Sequence, residues 1–232
     1  MTRMVAGLGG PAAGPTPAGP LDRPDTPAVG ADVEKNAMLN KATMQVDKIL
    51  QYGKANQFSD ARAAYDELMR IATSQEALPE TKLELSRGAF NLFVLLQQAG
   101  KAADADKVFG DLRRLAASPG ALPEMRLRFA KAAVNQVADY GDEGDIERAG
   151  ALYRTLEEMA ARIGGTPESK PDMLILDAWW RALEVYSPLL AAEDDAKLDA
   201  LLAGIEADAA LSAAASYLAA LAEEQAGGDS AG

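Results

Sequence analysis

The sequence predicts an all-α protein made of about four helix pairs followed by a C-terminal capping helix. Apolar residues between the two ends of the chain recur every three or four positions, which is the period of a helix with one buried face. Helix-favouring Ala, Leu, Glu, Lys and Arg dominate this part of the chain, and β-branched residues are sparse. The sequence also overlays on itself when it is shifted by 44 residues. Such self-similarity at one fixed period is typical of stacked helical repeats.

The 44-residue period is visible in short identical segments and in a set of apolar positions that we call the ladder. The letters ALPE at 77–80 recur at 121–124, and the Pro-Glu pair at 167–168 keeps the same phase. Five positions of the second helix in each pair keep their character in three copies: Ala61, Ala105 and Ala149; Tyr65, Phe109 and Tyr153; Leu68, Leu112 and Leu156; Ile71, Leu115 and Met159; Ala72, Ala116 and Ala160. These positions share one helix face, so we expect them, including the Tyr–Phe–Tyr set, to lie in the core.

Pro, Gly and Asn mark the predicted ends of the helices. The first helix of a pair opens near Pro79 or Pro123, because Pro is tolerated in a first helical turn. It closes before Gly100 or Gly144, and Asn56 takes that place in the first pair, since Gly and Asn adopt the left-handed conformation most easily. The predicted helices are 33–53, 59–75, 80–98, 103–117, 124–140, 146–163, 172–191 and 195–207, with a ninth near 210–225.

These helices define a folded domain at 31–225 between two tails. Residues 1–30 include six Gly and six Pro, and residues 226–232 are also rich in Gly, so both segments are predicted to be disordered. The predicted repeats are 33–75, 76–119, 120–164 and 165–209, and the cap is 210–225.

The fourth repeat departs from the strict period. Trp179 and Tyr186 fit the first helix only with three extra residues, and a stripe in the second helix fits with five. That stripe consists of Leu198, Leu202 and Ile205, and the capping helix is expected to bury the face that carries Leu211, Ala214, Leu218 and Leu221.

The composition excludes several classes of function. The 232 residues contain no Cys and no His, which excludes thiolate zinc sites, thiol nucleophiles and imidazole-based triads. The net charge of −12 argues against a nucleic-acid surface, because phosphate contacts need clustered Lys and Arg. No apolar run approaches the roughly 18 residues of a membrane span, and the run at 4–8 is too short for a signal peptide. We therefore expect a cytoplasmic protein that needs no cofactor or metal and binds neither nucleic acid nor membrane.

Carboxylates offer the remaining route to catalysis. An enzyme would need a pair such as Asp142 with Glu143 or Asp145, yet these residues lie in a predicted turn, where charged side chains are normally solvated. The acidic excess falls late in the chain, since residues 165–232 carry a net charge of −10. The acidic run at 193–195 lacks the spaced oxygens and central Gly of a calcium loop. This acidic last quarter of the chain is either a solubilising end or a docking surface for a basic partner.

The segment at 87–105, which runs RGAFNLFVLLQQAGKAADA, resembles the tetratricopeptide repeat in its long, kinesin-light-chain-like version of about 42–44 residues. It matches that family's asparagine–leucine pair, aliphatic run, glycine and acidic–alanine step, and residues 133–149 and 46–61 match more loosely. The resemblance covers about 33–164, with 165–209 as an altered fourth copy. It implies a right-handed α–α superhelix whose first helices line a concave groove. HEAT-like repeats share this length and are the alternative repeat class.

The resemblance also implies which side chains line the groove. The groove positions are Thr43, Val46 and Asp47; Arg87, Phe90 and Asn91; Lys131, Val134 and Asn135; Asp177, Trp180 and Arg181. In the family, groove asparagines grip the backbone of an extended peptide, so Asn91 and Asn135 are expected to do so here. Arg87, Lys131 and Arg181 would form a basic stripe suited to an acidic ligand.

The two adjacent tryptophans are expected to differ in role. Neighbouring positions on a helix point about 100° apart, so at most one of them can face the groove. Trp180 is the candidate peptide anchor and Trp179 is expected in the core.

Two functions of different classes follow from the sequence. The first is a non-enzymatic scaffold that binds an extended peptide or a partner's helix in the groove. The second is a structural subunit that assembles with itself or caps a larger complex, which leaves a homo-oligomer open. An enzyme is the least favoured class, and the sequence does not name the partner.

Overall fold

The computed structural model describes residues 28–165 and 167–228. Within this part of the chain, nine helices and no strands form an all-α fold. The helices are α1 (Ala28–Lys54), α2 (Phe58–Ala72), α3 (Pro79–Gln98), α4 (Ala102–Ala117), α5 (Pro123–Asp142), α6 (Ile146–Ile163), α7 (Lys170–Glu193), α8 (Asp195–Ala207) and α9 (Ala209–Gly228). Each predicted helix is present.

The first seven helices form two groups, which we call the A helices (α1, α3, α5 and α7) and the B helices (α2, α4 and α6). Each A helix contacts the next A helix along the chain, and each B helix lies against both the A helix before it and the A helix after it. The backbones of successive B helices do not contact one another. This regular pattern of neighbour contacts is compatible with a helical repeat.

The predicted helix ends are confirmed by the backbone. Asn56 has a φ of 58°, and Gly100 and Gly144 have φ values of 67° and 76°, so all three adopt the left-handed conformation between the helices of a pair. Pro79 and Pro123 lie in the first turns of α3 and α5, where a missing N–H costs nothing. Local sequence therefore sets the length of each helix.

The predicted ladder of the B helices is largely in the core. Tyr65 and Tyr153 are fully buried, and Phe109 between them is nearly so. The Tyr65 hydroxyl donates to Asp111 Oδ2 at 2.9 Å and so links α2 to α4. Burial raises the pKa of Tyr65 well above its ordinary value, and the Asp111 carboxylate raises it further. The hydroxyl therefore stays protonated and remains a donor.

A glycine in α3 allows three helices to meet closely. A Cβ atom on Gly88 would lie 2.5 Å from Leu68 Cδ2 of α2 and 3.1 Å from Ile49 Cδ1 of α1. The equivalent residue of α5, Ala132, is fully buried. Small residues at this position let α3 and α5 approach the preceding pair.

Both ends of the described chain differ from the prediction. α1 begins at Ala28, so residues 28–30 are helical rather than part of a tail. α9 continues to Gly228, so residues 226–228 are also helical. The other tail residues, 1–27 and 229–232, lie outside the described part of the chain.

The fourth pair also packs differently from the first three. α9 contacts α6, α7 and α8, whereas α8 contacts only α7 and α9. Ile205 is the one buried residue of α8, and Leu202, which was predicted to belong to the buried stripe, is 42 % exposed. The prediction for Leu202 is wrong because α8 has only two neighbours among the described helices. In α9, Leu211 and Ala214 are buried and Leu218 is half-buried.

None of the described helices combines the length and apolarity that crossing a membrane would require.

We expect Gly88→Val to lower the free energy of unfolding by about 1–3 kcal/mol, because the added side chain must displace Leu68 and Ile49 in a close-packed core. Gly110→Ala is the matched control. Its Cβ would meet only Arg114 Nη1 at 3.8 Å, so better helix propensity should raise the stability by about 0.5–1 kcal/mol. Urea unfolding followed by circular dichroism measures both. A Gly88→Val chain as stable as the original would contradict the close approach.

Candidate partner-binding face

One side of the A helices is not covered by any helix in the described part of the chain. α3 and α5 each contact two A helices and two B helices, and nothing packs on their remaining side. We call this surface, on α3, α5 and α7, the A face. Its side chains are half-buried or exposed: Arg87, Phe90, Asn91 and Val94 on α3; Leu127, Lys131, Val134 and Asn135 on α5; Asp177, Trp180 and Arg181 on α7.

Equivalent residues of α3 and α5 lie at similar levels along these two neighbouring helices. Arg128 of α5 donates from Nη1 to Ser86 Oγ of α3 at 2.8 Å, and Gln97 of α3 donates to Asp139 of α5. Both bonds join residues 42 positions apart. Asn91 and Asn135, which are 44 positions apart in the sequence, therefore occupy similar places on neighbouring helices.

One residue predicted for the groove lies in the core instead. Val46 was predicted to line the groove on α1, but it is fully buried. Its side chain points toward α3, where a Cβ on Gly88 would lie 3.6 Å from Val46 Cγ2. This prediction is wrong because the close approach at Gly88 turns Val46 into a core contact. Thr43 is half-buried and Asp47 is exposed.

Apolar groups occupy much of the A face. Phe90, Val94, Leu127, Val134 and Trp180 all remain partly exposed while packing against the core. The exposed residues of the A face are polar: Lys131, Asn135 and Arg181. The A face thus combines half-buried apolar side chains with exposed polar ones.

Two of the three cations in the predicted basic stripe form ion pairs within their own helices. Arg87 Nη1 lies 3.3 Å from a carboxylate oxygen of Glu84, and Arg181 Nε lies 2.9 Å from Asp177 Oδ2. Lys131 is exposed and forms no ion pair with any described residue. The charge available on the A face is therefore concentrated at Lys131.

Two residues that were not predicted from the sequence, Glu84 and Arg128, lie beside Arg87. Glu84 precedes Arg87 by one helical turn, which is a spacing that sequence alone can identify as an ion pair. Arg128 lies close to both, and its guanidinium also donates to the Leu83 carbonyl at 3.3 Å. Burial lowers the pKa of Arg128, and the Glu84 carboxylate opposes that shift. Arg128 is therefore a structural cation that joins α3 to α5.

The burial of the two tryptophans agrees with the prediction. Trp179 is fully buried, and its Nε1 donates to the Tyr153 hydroxyl at 3.2 Å. Trp180 is half-buried, with its ring edge-on to that of Trp179 at a centroid distance of 6.2 Å. Only Trp180 can offer part of its ring to a partner, and that role stays a prediction.

The carboxylates considered for catalysis lie in the turn between α5 and α6. Asp145 is the N-cap of α6 and accepts from the Arg148 backbone N–H at 3.0 Å. That bond, followed by the bond from the Arg148 side chain, lowers the pKa of Asp145. Asp142 and Glu143 are exposed. Across residues 28–165 and 167–228, no group of three or more acidic residues is placed to hold a metal ion.

No protein-family model, curated protein or solved structure matches this chain. The repeat class therefore depends on the residues of the chain itself, above all on the segment at 87–105. The roles of Arg87, Asn91, Lys131, Asn135, Trp180 and Arg181 in binding likewise stay predictions.

We expect fluorescence quenching to distinguish the buried Trp179 from the half-buried Trp180 when each is the single remaining tryptophan. In Trp180→Phe the remaining Trp179 is buried, so iodide should quench its fluorescence weakly, whereas in Trp179→Phe the half-exposed Trp180 should be quenched several-fold more. Trp179→Phe should also lower the free energy of unfolding by about 1–3 kcal/mol, since it removes a buried hydrogen bond and leaves a gap. Equal quenching of the two variants would contradict the assignment of Trp180 to the surface.

Proposed function

We propose that this chain is a tetratricopeptide-like scaffold whose A helices line the concave side of a right-handed superhelix. The A face binds an extended, acidic segment of a partner protein. The observation that carries the proposal is the pairing on one uncovered surface of half-buried apolar side chains with an unpaired lysine.

The apolar part of this surface supports a partner of defined shape. Partly exposed apolar residues occur singly on most protein surfaces, but on the A face they recur on three successive helices. Phe90 and Val134 occupy the same repeat position on α3 and α5, and Trp180 is the matching residue of α7. A row of such groups suits the alternating side chains of an extended segment better than a single small ligand.

The polar part of the surface supports an acidic segment. Lys131 lies on the middle helix of the three and has no ion-pair partner among the described residues. Asn135 follows Lys131 by one helical turn on α5, and Asn91 occupies the equivalent place on α3. An amide side chain both donates to and accepts from a peptide backbone. The carboxylate of a partner would pair with Lys131 while its backbone is held by the amides.

The test screens the full chain against an array of random peptides at low ionic strength. We expect enriched peptides to contain Asp or Glu beside apolar residues, and Lys131→Glu to weaken their binding about tenfold, because an attraction becomes a repulsion. Lys82→Glu is the matched control. Lys82 is also exposed on α3, but it lies about 140° around that helix from Arg87 and should not affect binding.

A second variant separates backbone recognition from charge recognition. Asn91→Ala combined with Asn135→Ala should weaken all enriched peptides, whatever their charge. Equal loss in Lys131→Glu and Lys82→Glu would overturn the proposed surface. If no peptide is enriched and the chain forms a concentration-dependent oligomer in sedimentation experiments, self-assembly becomes the better account.

A further inference from the structure

A separate cleft lies between the ends of four helices, away from the residues of the A face. It has a volume of about 730 Å³ and lies where the last turns of α4 and α6 meet the first turns of α5 and α7. Its apolar wall includes Phe129, Met159, Ile163 and Ile175. Phe129 and Ile175 are almost fully buried, so this wall is part of the core of the domain. Its volume falls within the range of roughly 300–1,000 Å³ that is typical of sites for small molecules.

Among the described residues, the polar link between α2 and α4 has no counterpart between α4 and α6, and the repeat shows why. Between α2 and α4, the Tyr65 hydroxyl donates to Asp111, which also accepts from Arg114. The residues 44 positions later are Phe109, which has no hydroxyl, and Thr155. The Thr155 hydroxyl donates to its own helix, to the Ala151 carbonyl at 3.1 Å.

These replacements leave α4 and α6 without that bond, and Thr155 lines the cleft. The cleft therefore lies beside a specific departure from the repeat.

Arginines form the polar part of the cleft. Arg162 is engaged by Glu158 at 3.8 Å. Arg113 and Arg126 also line the cleft, and neither forms an ion pair or a side-chain hydrogen bond with any described residue.

The two other carboxylates of the cleft differ in how they are used. Asp172 accepts from the Ser169 hydroxyl at 2.7 Å, close to the start of α7. Glu168 is exposed and lies in the loop before α7. Arg113 and Arg126, on the α4 and α5 side, are the cationic groups available to a ligand, and a guanidinium binds carboxylate, sulfonate or phosphate oxygens in pairs. Glu168 likewise has no ion-pair partner among the described residues.

We propose that this cleft binds a small amphipathic anion. The apolar body of the ligand lies against Pro123, Met159 and Ile163, which line the cleft and are partly exposed, and its anionic group is bound by Arg113 and Arg126. This site shares no residue with the A face, so its occupancy does not depend on the function proposed for that face.

Two fluorescent probes of similar shape test the proposal on the full chain. Anilinonaphthalene sulfonate has an aromatic body with one negative charge, and phenylnaphthylamine has the same kind of body without the charge. We expect Arg113→Gln combined with Arg126→Gln to weaken the anionic probe about five- to tenfold, while the neutral probe changes less than twofold. The matched control, Arg70→Gln combined with Arg154→Gln, removes the same charge from exposed positions outside the cleft and should change neither probe.

A third variant localises the apolar part of the site. Thr155→Phe narrows the cleft from the half-buried face of α6, and we expect it to weaken both probes several-fold while circular dichroism shows an unchanged helix content. The proposal is overturned if the anionic probe binds the cleft variant and the arginine control equally. It is also overturned if Thr155→Phe leaves both probes unaffected, because the probes would then bind elsewhere.

Discussion

The stacking of α3 and α5 on the helices before them depends on one small residue at the point where each meets the preceding helix pair. In α3 that residue is Gly88, against which Leu68 and Ile49 pack. In α5 the matching residue is Ala132, which is fully buried. The equivalent residue of α1 is Met44, which meets no preceding pair in the described part of the chain and is 49 % exposed. A large side chain is thus present at this repeat position on α1, where packing does not forbid it.

Close packing on one side of the A helices leaves their other side available. The B helices lie on the side that carries the small residues, and their own apolar ladder fills the space between successive A helices. The ladder conserves volume, because Tyr65, Phe109 and Tyr153 occupy equivalent positions. A residue of the ladder can therefore gain or lose a hydroxyl group between repeats while the helices keep the same packing. The Tyr65–Asp111 bond is present in one gap and its equivalent is absent from the next, where the cleft lies.

The sequence predicted helix ends and the core ladder well, because both are set by local chemistry repeated at a fixed period. Asn56, Gly100 and Gly144 are left-handed as expected. It did not predict features that depend on which helices meet. Val46 is buried by α3, Leu202 is exposed because α8 has two neighbours, and α9 packs against α6. Glu84 and Asp177, the intrahelical partners of Arg87 and Arg181, lie at spacings that the sequence shows. The structure adds that Lys131 has no ion-pair partner among the described residues, so the charge of the predicted basic stripe is concentrated at Lys131.

A charge exchange across the A face tests the proposed binding surface most sharply. Fluorescence anisotropy would compare the original chain and Lys131→Glu, each with an acidic peptide selected by the original chain and with the same peptide after its Asp and Glu are replaced by Lys. We expect the original chain to prefer the acidic peptide and Lys131→Glu to prefer the lysine peptide, because the charge at this position selects the ligand. An unchanged preference for the acidic peptide in the Lys131→Glu chain would contradict the assignment of the A face as the binding surface.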